Sequence, residues 1–248
     1  MNTIIRESYG RSTTARRYKT RMIPSLRIWK ARREAFERLD KITRQWSLES
    51  WLHQKRTGVY THLLLEALFS RPDRLSHQPG FADALNGKSK GAILYAAYLH
   101  DVGEAAEPDA FPLERPSVDD LIQRHTTGFD GIIDGNFDKR DALYYRTLGE
   151  VCRHHHERWD GRGYPDDLSG TEIPLSARIV AVADAYDMVS GRQMGKRPYS
   201  HEKAAKIVKA GKGKQFDPHI VELFDEIEEQ FYNVGKALSK GNGIRNLG

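Results

Sequence analysis

The chain has 248 residues, 39% of them hydrophobic, with a net charge of +5 and a single cysteine, Cys152. This length and apolar content suit one large domain with a core, and they exclude a chain that is disordered throughout. We find no apolar run of roughly 18 residues, no secretory signal and no cysteine pair, which argues against a membrane-spanning segment and favours a cytoplasmic setting.

Positive charge is concentrated in residues 1–49, which we assign to a basic N-terminal arm with a helix over residues 25–46. A basic segment of this kind can contact an acidic partner such as nucleic acid, an anionic protein or a membrane surface. The more common alternative is a solvated segment whose helix packs on the main domain. Both interpretations stay open, and the arm alone does not decide the function.

Apolar periodicity predicts that the rest of the chain is all-α and forms a helical bundle. We expect a helix starting at Ser117 and others over residues 52–69, 91–99, 139–154, 174–190, 200–209 and 218–232. The apolar run at residues 179–183 would also suit a strand, but its flanks show no alternation and favour a buried helix. We assign residues 50–235 to the main domain and residues 236–248 to a flexible tail.

Polar residues interrupt two of the apolar helices. His100 and Asp101 end the run that begins at residue 91, and Asp184 lies inside the run that begins at residue 179. A buried ionised carboxylate is unfavourable without a compensating cation, so metal ligation is the economical explanation for Asp184. The alternatives are an ordinary capping pair for His100 and Asp101, and an aspartate held by backbone amides for Asp184.

The stretch over residues 154–165, HHHERWDGRGYP, carries the strongest chemical signal. Consecutive histidines can direct their ring nitrogens at neighbouring metal ions, although a histidine-rich helix end stabilised by the helix dipole is the alternative. The two glycines and the proline of the turn that follows allow backbone to approach a substrate closely. An arginine or tyrosine there can meet a phosphate or stack on a base.

The order His, His-Asp, His, His-His, Asp along a helical chain resembles the HD superfamily of metal-dependent phosphohydrolases. Residues 155–165 look like the signature of its HD-GYP subfamily, and the similarity continues through residues 173–187 and Gly213, Phe216, Asp217 and Pro218. The resemblance implies an HD-type helical bundle that hydrolyses cyclic di-GMP to pGpG, and in some members on to GMP. It also implies two or three divalent metal ions, iron or manganese.

The resemblance carries residue roles over to this chain. It implies metal ligands at His62, His100, Asp101, His125, His155, His156 and Asp184. Asp101, with His100, is the implied catalytic centre, where Asp101 bridges the metals and positions the attacking water. Substrate contacts are implied for Gly163, Tyr164, Pro165, Arg178, Asp187 and Arg192.

Two departures from the family pattern affect the expected substrate contacts. Glu104 stands where the family carries a lysine, and residues 192–195, RQMG, replace the family's Arg-Pro-Tyr-Arg. Two alternatives to cyclic di-GMP hydrolysis therefore stay open. One is a phosphohydrolase acting on another cyclic dinucleotide or nucleotide, and the other is a catalytically weak binding or interaction protein. The sequence also leaves monomer and homodimer open.

Overall fold

The computed structural model describes residues 47–72, 76, 81, 87–105, 118–128, 142–191 and 197–239. Within these ranges the chain is helical and forms no strand, which confirms the all-α prediction. The helices are α1 Leu48–Ser70, α2 Gly87–Ala97, α3 Val118–Thr127, α4 Ala142–His154, α5 Leu175–Ser190, α6 His201–Ala210 and α7 Pro218–Ser239. The predicted helix over residues 25–46, the start at Ser117 and the substrate contact Arg192 lie outside the described residues.

Side-chain caps define where the long helices begin. The Ser47 hydroxyl accepts a hydrogen bond from the Ser50 amide (3.1 Å), so α1 starts four residues before the predicted residue 52. At α7 the Asp217 carboxylate accepts from the His219 amide (2.9 Å), and Pro218 is the first helical residue, as predicted. Helix α7 continues to Ser239, beyond the expected domain boundary at residue 235.

Helix α5 lies at the centre of the bundle, packed against α1, α4, α6 and α7. Its residues are buried on nearly every side, which is why its sequence has no polar face and can be mistaken for a strand. Aromatic side chains fill the space between α1 and α7: Tyr60 stacks on Phe231 with ring centroids 4.8 Å apart, and Tyr186 of α5 meets both edge-on. Burying side chains of this size contributes roughly 1.5–3 kcal/mol each.

The end of α2 is held against α3 by a close backbone contact. After α2 the chain turns through His100 and Asp101 into the 3-10 turn Val102–Ala105, which contacts α3. A Cβ atom at Gly103 would collide with the backbone carbonyl of His125, so only glycine allows this approach. The contact brings His125 beside Asp101.

Among the described residues, no helix combines the length and the apolar character that crossing a membrane requires.

Candidate metal centre

The Asp101 carboxylate lies at the centre of a histidine cluster. Its Oδ1 atom is 3.3 Å from His155 Nε2 and 3.6 Å from His125 Nε2. Its Oδ2 atom is 3.2 Å from His100 Nε2 and 3.5 Å from His53 Nε2. These are the spacings that ligand atoms take around one ion when each bond is about 2.1 Å long. The two oxygens of one carboxylate thus face two different pairs of imidazoles.

The potential ligands fall into two groups that share Asp101. The first contains Asp101, His125, His155 and His156, and the second contains His53, His100 and Asp101, with the candidate ligand atoms of each group lying within 4.8 Å of one another. Asp184 adjoins the second group, because its Oδ1 atom is 3.1 Å from His53 Nε2 and 3.5 Å from His100 Nε2. Three helices, α1, α3 and α5, and the turns after α2 and α4 contribute to this cluster.

The hydrogen bonds of the histidines fit a metal site. His100 Nδ1 lies 3.1 Å from the Ala97 carbonyl and His155 Nδ1 lies 2.8 Å from the Val151 carbonyl, so each ring donates outward from the cluster. Their Nε2 atoms are buried without a well-directed hydrogen bond, although carboxylates lie nearby. Buried polar atoms are rarely left in this state. Metal-ligating histidines commonly donate their second ring nitrogen in the same way, so the residues present fit divalent metal ions.

The pKa values in the cluster show that it separates charge strongly. Burial disfavours charge on His100, yet the Asp101 carboxylate raises the pKa of His100 to about 10. Burial likewise opposes ionisation of Asp101 and Asp184, but the surrounding histidines hold both pKa values well below the usual range. By contrast, burial and the adjacent His155 lower the pKa of His156 to about 3. A divalent ion bound here would take the place of the proton on His100.

His53 is a cluster residue that the sequence analysis missed. Its Nδ1–H donates to Asp187 (2.8 Å), which directs Nε2 toward Asp184 and Asp101. Burial opposes its charge, but hydrogen bonds to these aspartates raise the pKa of His53 well above its usual value. The available signal was the spacing of His53 and Arg56, which lie three residues apart and therefore on one face of α1.

The structure does not bring His62 to the cluster, and His53 takes the place expected for it. The two residues are nine positions apart on α1, which corresponds to about half a turn around the helix and about 13.5 Å along it. His62 instead faces Glu66 (3.8 Å), which pairs with Lys90 of α2. Burial lowers the pKa of His62. We assign His62 to the contact between α1 and α2.

Asp187 supports the cluster, whereas the resemblance implied a substrate contact. It is 1% exposed, and its carboxylate accepts from His53 and from both Nε and Nη2 of Arg56 (2.6 and 2.9 Å). Both oxygens are therefore in use. Asp184 and Asp187 lie three residues apart on one face of α5, so the first meets the histidines directly and the second orients one of them.

Arg178 also differs from the expected substrate contact. Its guanidinium is 4% exposed, pairs with Asp217 (2.7 Å) and lies over the Trp159 ring at 5.8 Å. Burial lowers the pKa of Arg178, and Asp217 opposes that effect. The amides of Trp159 and Asp160 donate to the carbonyls of residues 215 and 214. Arg178 and these bonds anchor the glycine-rich turn to the start of α7.

The turn that follows the histidines is rigidly held. Glu157 is buried, and its carboxylate accepts from the amides of Asp166 (2.7 Å) and Leu168 (3.2 Å). A Cβ atom at Gly163 would clash with the backbone of Glu157 and Arg158, so this residue must be glycine. His154 turns away from the cluster, with Nδ1 3.8 Å from Asp166. Of the three histidines in this stretch, His155 and His156 are thus the two that face the cluster.

A cavity of about 210 Å³ adjoins the cluster at this turn. The residues that line it include His155, His156 and Asp184 of the cluster and Arg162, Gly163, Tyr164, Gln215 and Phe216. The Tyr164 ring lies 5.0 Å from His156 at an interplanar angle of 31°. The Arg162 guanidinium forms no hydrogen bond or ion pair with any residue that the structure describes. Pro165 follows Tyr164 through a cis peptide bond.

Glu104 lies at the rim of the cluster, on the 3-10 turn after Asp101. Loss of water around its carboxyl and the nearby Asp101 carboxylate raise the pKa of Glu104 to about 7, and the positive charge of His100 and His53 opposes this rise. At the position where the resemblance implied a lysine, this chain therefore has a group that is neutral or negative.

Comparisons with known proteins agree with the fold. Residues 143–220 match the HD domain family. The chain is 32% identical over 191 residues to a cyclic di-GMP phosphodiesterase of Vibrio cholerae, covering 75% of this chain and 37% of that protein. It is 32% identical over 197 residues to the 3'3'-cGAMP-specific phosphodiesterase 2 of the same organism, covering 77% and 34%.

A third relative, a cyclic di-GMP phosphodiesterase of Thermotoga maritima, is 30% identical over 206 residues, covering 81% of this chain and 50% of its own length. The chain thus spans one third to one half of the length of these relatives. A helical bundle with a shared aspartate among histidines defines an HD-domain protein. The resemblance to the HD-GYP family is confirmed, and residues 143–220 belong to the HD domain family.

Proposed function

We propose that this domain is a metal-dependent phosphodiesterase that hydrolyses cyclic di-GMP to pGpG, and pGpG further to GMP. The observation that carries the proposal is Asp101, whose two oxygens face two separate pairs of histidines. This arrangement suits two divalent ions that share one carboxylate. The relatives named above act on cyclic dinucleotides, which supports the substrate class.

The cluster offers one metal site on each side of Asp101. His125, His155 and His156 would complete the first, and His53, His100 and Asp184 would complete the second. Mixed imidazole and carboxylate ligation without thiolates suits iron or manganese. Ions held there would act as Lewis acids toward a phosphodiester and activate water for attack at phosphorus.

The cavity beside His156 is the proposed place for the nucleoside part of the substrate. Tyr164 offers a ring face there, Gly163 and Pro165 fix the approach of the backbone, and Arg162 offers an uncommitted guanidinium. An arginine can bind a phosphate or the O6 and N7 atoms of guanine through two parallel hydrogen bonds. A ligand in this cavity would have its phosphate next to Asp184 and the histidines.

The direct test is hydrolysis by protein purified without oxygen and loaded with Mn(II) or Fe(II). We expect cyclic di-GMP to be converted to pGpG, with the metal content measured on the same sample. Cyclic di-AMP, 3'3'-cGAMP and pGpG complete the substrate panel. Two bound metals with no hydrolysis of any of these nucleotides would contradict the proposal and favour a binding or interaction protein.

Replacing Arg162 with Ala should weaken substrate binding more than catalysis. We expect KM for the cyclic dinucleotide to rise roughly tenfold with kcat within about threefold, because a charged hydrogen bond contributes about 1.5–3 kcal/mol. Arg146→Ala is the matched control, since Arg146 is a surface arginine of α4 paired only with Glu150 among described residues. Equal KM values for the two variants would show that Arg162 does not contact the substrate.

Glu104 favours a second candidate within the same class of reaction, hydrolysis of another cyclic dinucleotide such as 3'3'-cGAMP. A carboxyl with a pKa of about 7 can accept a hydrogen bond from a base or sugar and, when protonated, can donate one. A lysine can only donate hydrogen bonds, so it would select different groups on the substrate. The substrate panel separates the two candidates. A kcat/KM for 3'3'-cGAMP at least tenfold above that for cyclic di-GMP would establish the second.

A further inference from the structure

The side chain next to His53 makes a buried contact with the shared carboxylate. Gln54 is 2% exposed, and its Nε2 atom donates to Asp101 Oδ2 at 2.8 Å. A carboxylate that binds metal ions is ionised and can only accept hydrogen bonds. The amide nitrogen, and not the amide oxygen, must therefore face Asp101.

The other end of the same amide is left unsatisfied. Gln54 Oε1 is buried and has no hydrogen-bond partner among the described residues. A buried acceptor without a partner destabilises a folded protein, so an apolar side chain of the same length would suit packing better. Packing alone therefore gives no reason for a glutamine at this position, whereas the bond to Asp101 does.

The bond to Gln54 acts on the orientation of Asp101. A carboxylate rotates about the bond between its β and γ carbons, and such terminal torsions are broad. A fixed donor on Oδ2 removes this freedom and keeps Oδ1 directed at His125 and His155. Each oxygen then faces its own pair of histidines before any ion binds.

We infer that Gln54 is a positioning residue that orients Asp101 so that two divalent ions can share it. The inference rests on the proposed dinuclear site. It adds a residue of α1 that affects metal binding through Asp101 and touches neither the substrate nor the reacting atoms. Partners of metal ligands that orient them in this way typically change metal affinity or activity by about 10–100-fold when they are removed.

The test is a titration of the metal-free protein with Mn(II), followed by its EPR signal and by metal analysis after dialysis. In Gln54→Met, which keeps the length and the helix propensity, we expect one of two Mn(II) ions to bind at least about tenfold more weakly. The signal of a spin-coupled manganese pair at two equivalents should give way to that of isolated Mn(II). The metal-free variant should melt within a few degrees of wild type, because removal of the unsatisfied Oε1 offsets the loss of the bond to Asp101.

Thr57→Val is the matched control. Thr57 lies on the same helix, is fully buried, and its hydroxyl has no hydrogen-bond partner among the described residues. We expect this variant to bind two Mn(II) ions as wild type does, which separates the loss of a buried polar group from the loss of the bond to Asp101. Gln54→Asn, which keeps the amide but is one methylene too short, should weaken binding as Gln54→Met does.

The results of this titration test the role of Gln54 independently of the proposed hydrolysis. Unchanged affinity for both ions in Gln54→Met, or a metal-free variant that melts well below wild type, would overturn it. If Gln54→Met does not fold, tight binding of both ions by Gln54→Asn would overturn it instead. Because the titration contains no nucleotide, two ions bound without hydrolysis would refute the proposed function and leave the role of Gln54 standing. A wild-type protein that binds fewer than two ions would overturn the inference.

Discussion

Replacing Asp101 with Asn will abolish hydrolysis, with kcat/KM falling roughly a thousandfold or more, which corresponds to about 4 kcal/mol of transition-state stabilisation. Asparagine has the shape of aspartate but carries no charge and has one oxygen, so it cannot face both pairs of histidines as an anion. We expect the variant to retain fewer than two metal ions per chain. Turnover of cyclic di-GMP and metal analysis on the same preparation measure both effects.

Asp225→Asn is the control for this substitution. Asp225 lies on the surface of α7, where its carboxylate pairs with Lys209 at 2.9 Å and its side chain is 56% exposed. This variant should keep full activity and metal content. If Asp101→Asn retained both metals and turnover, the shared carboxylate would not be the centre of the site, and the proposed mechanism would fail.

His53→Ala and His62→Ala will have opposite consequences, although both remove a histidine from α1. His53 Nε2 faces Asp184 and Asp101, so its loss should remove one metal ion and lower kcat at least about a hundredfold. His62 faces Glu66 on the far side of the helix, so its loss should leave metal content and kcat within about twofold of wild type. We expect only a small destabilisation there, about 1 kcal/mol.

Metal analysis, steady-state kinetics and thermal melting of the two variants together provide the measurement. The pair is matched in residue type, in helix and in partial burial, so a general effect of removing an imidazole from α1 would appear in both. A loss of metal in His62→Ala with none in His53→Ala would reverse the assignment made from the structure.

Local sequence patterns were enough to predict most of the fold. Apolar runs without alternation gave the buried helices, and the pair Asp217 and Pro218 marked the start of α7 because capping depends on neighbours in the chain. The same holds for His100 with Asp101 and for His155 with His156, which are adjacent in sequence. Each pair follows a helix, so the position of the end of α2 or of α4 brings both of its residues into the cluster.

Tertiary pairing could not be predicted in this way. His53 has no ligand beside it in the sequence, and its partner Asp187 lies on another helix. Arg178 and Asp187 both looked available for a substrate, because nothing local indicates that Asp217 and Arg56 neutralise them. The sequence identifies charged residues, whereas their partners depend on how α1, α5 and α7 pack.

The contact between His53 and Asp187 also has a consequence for the order of folding. The two residues are 134 positions apart and meet at 2.8 Å, so the cluster closes a loop that spans most of the described chain. Closing so long a loop costs entropy, and ions that bind only the closed form offset part of that cost. During synthesis the second metal site is completed only after α5 has left the ribosome and packed against α1. Metal uptake by the nascent chain would therefore report that α5 has packed against α1.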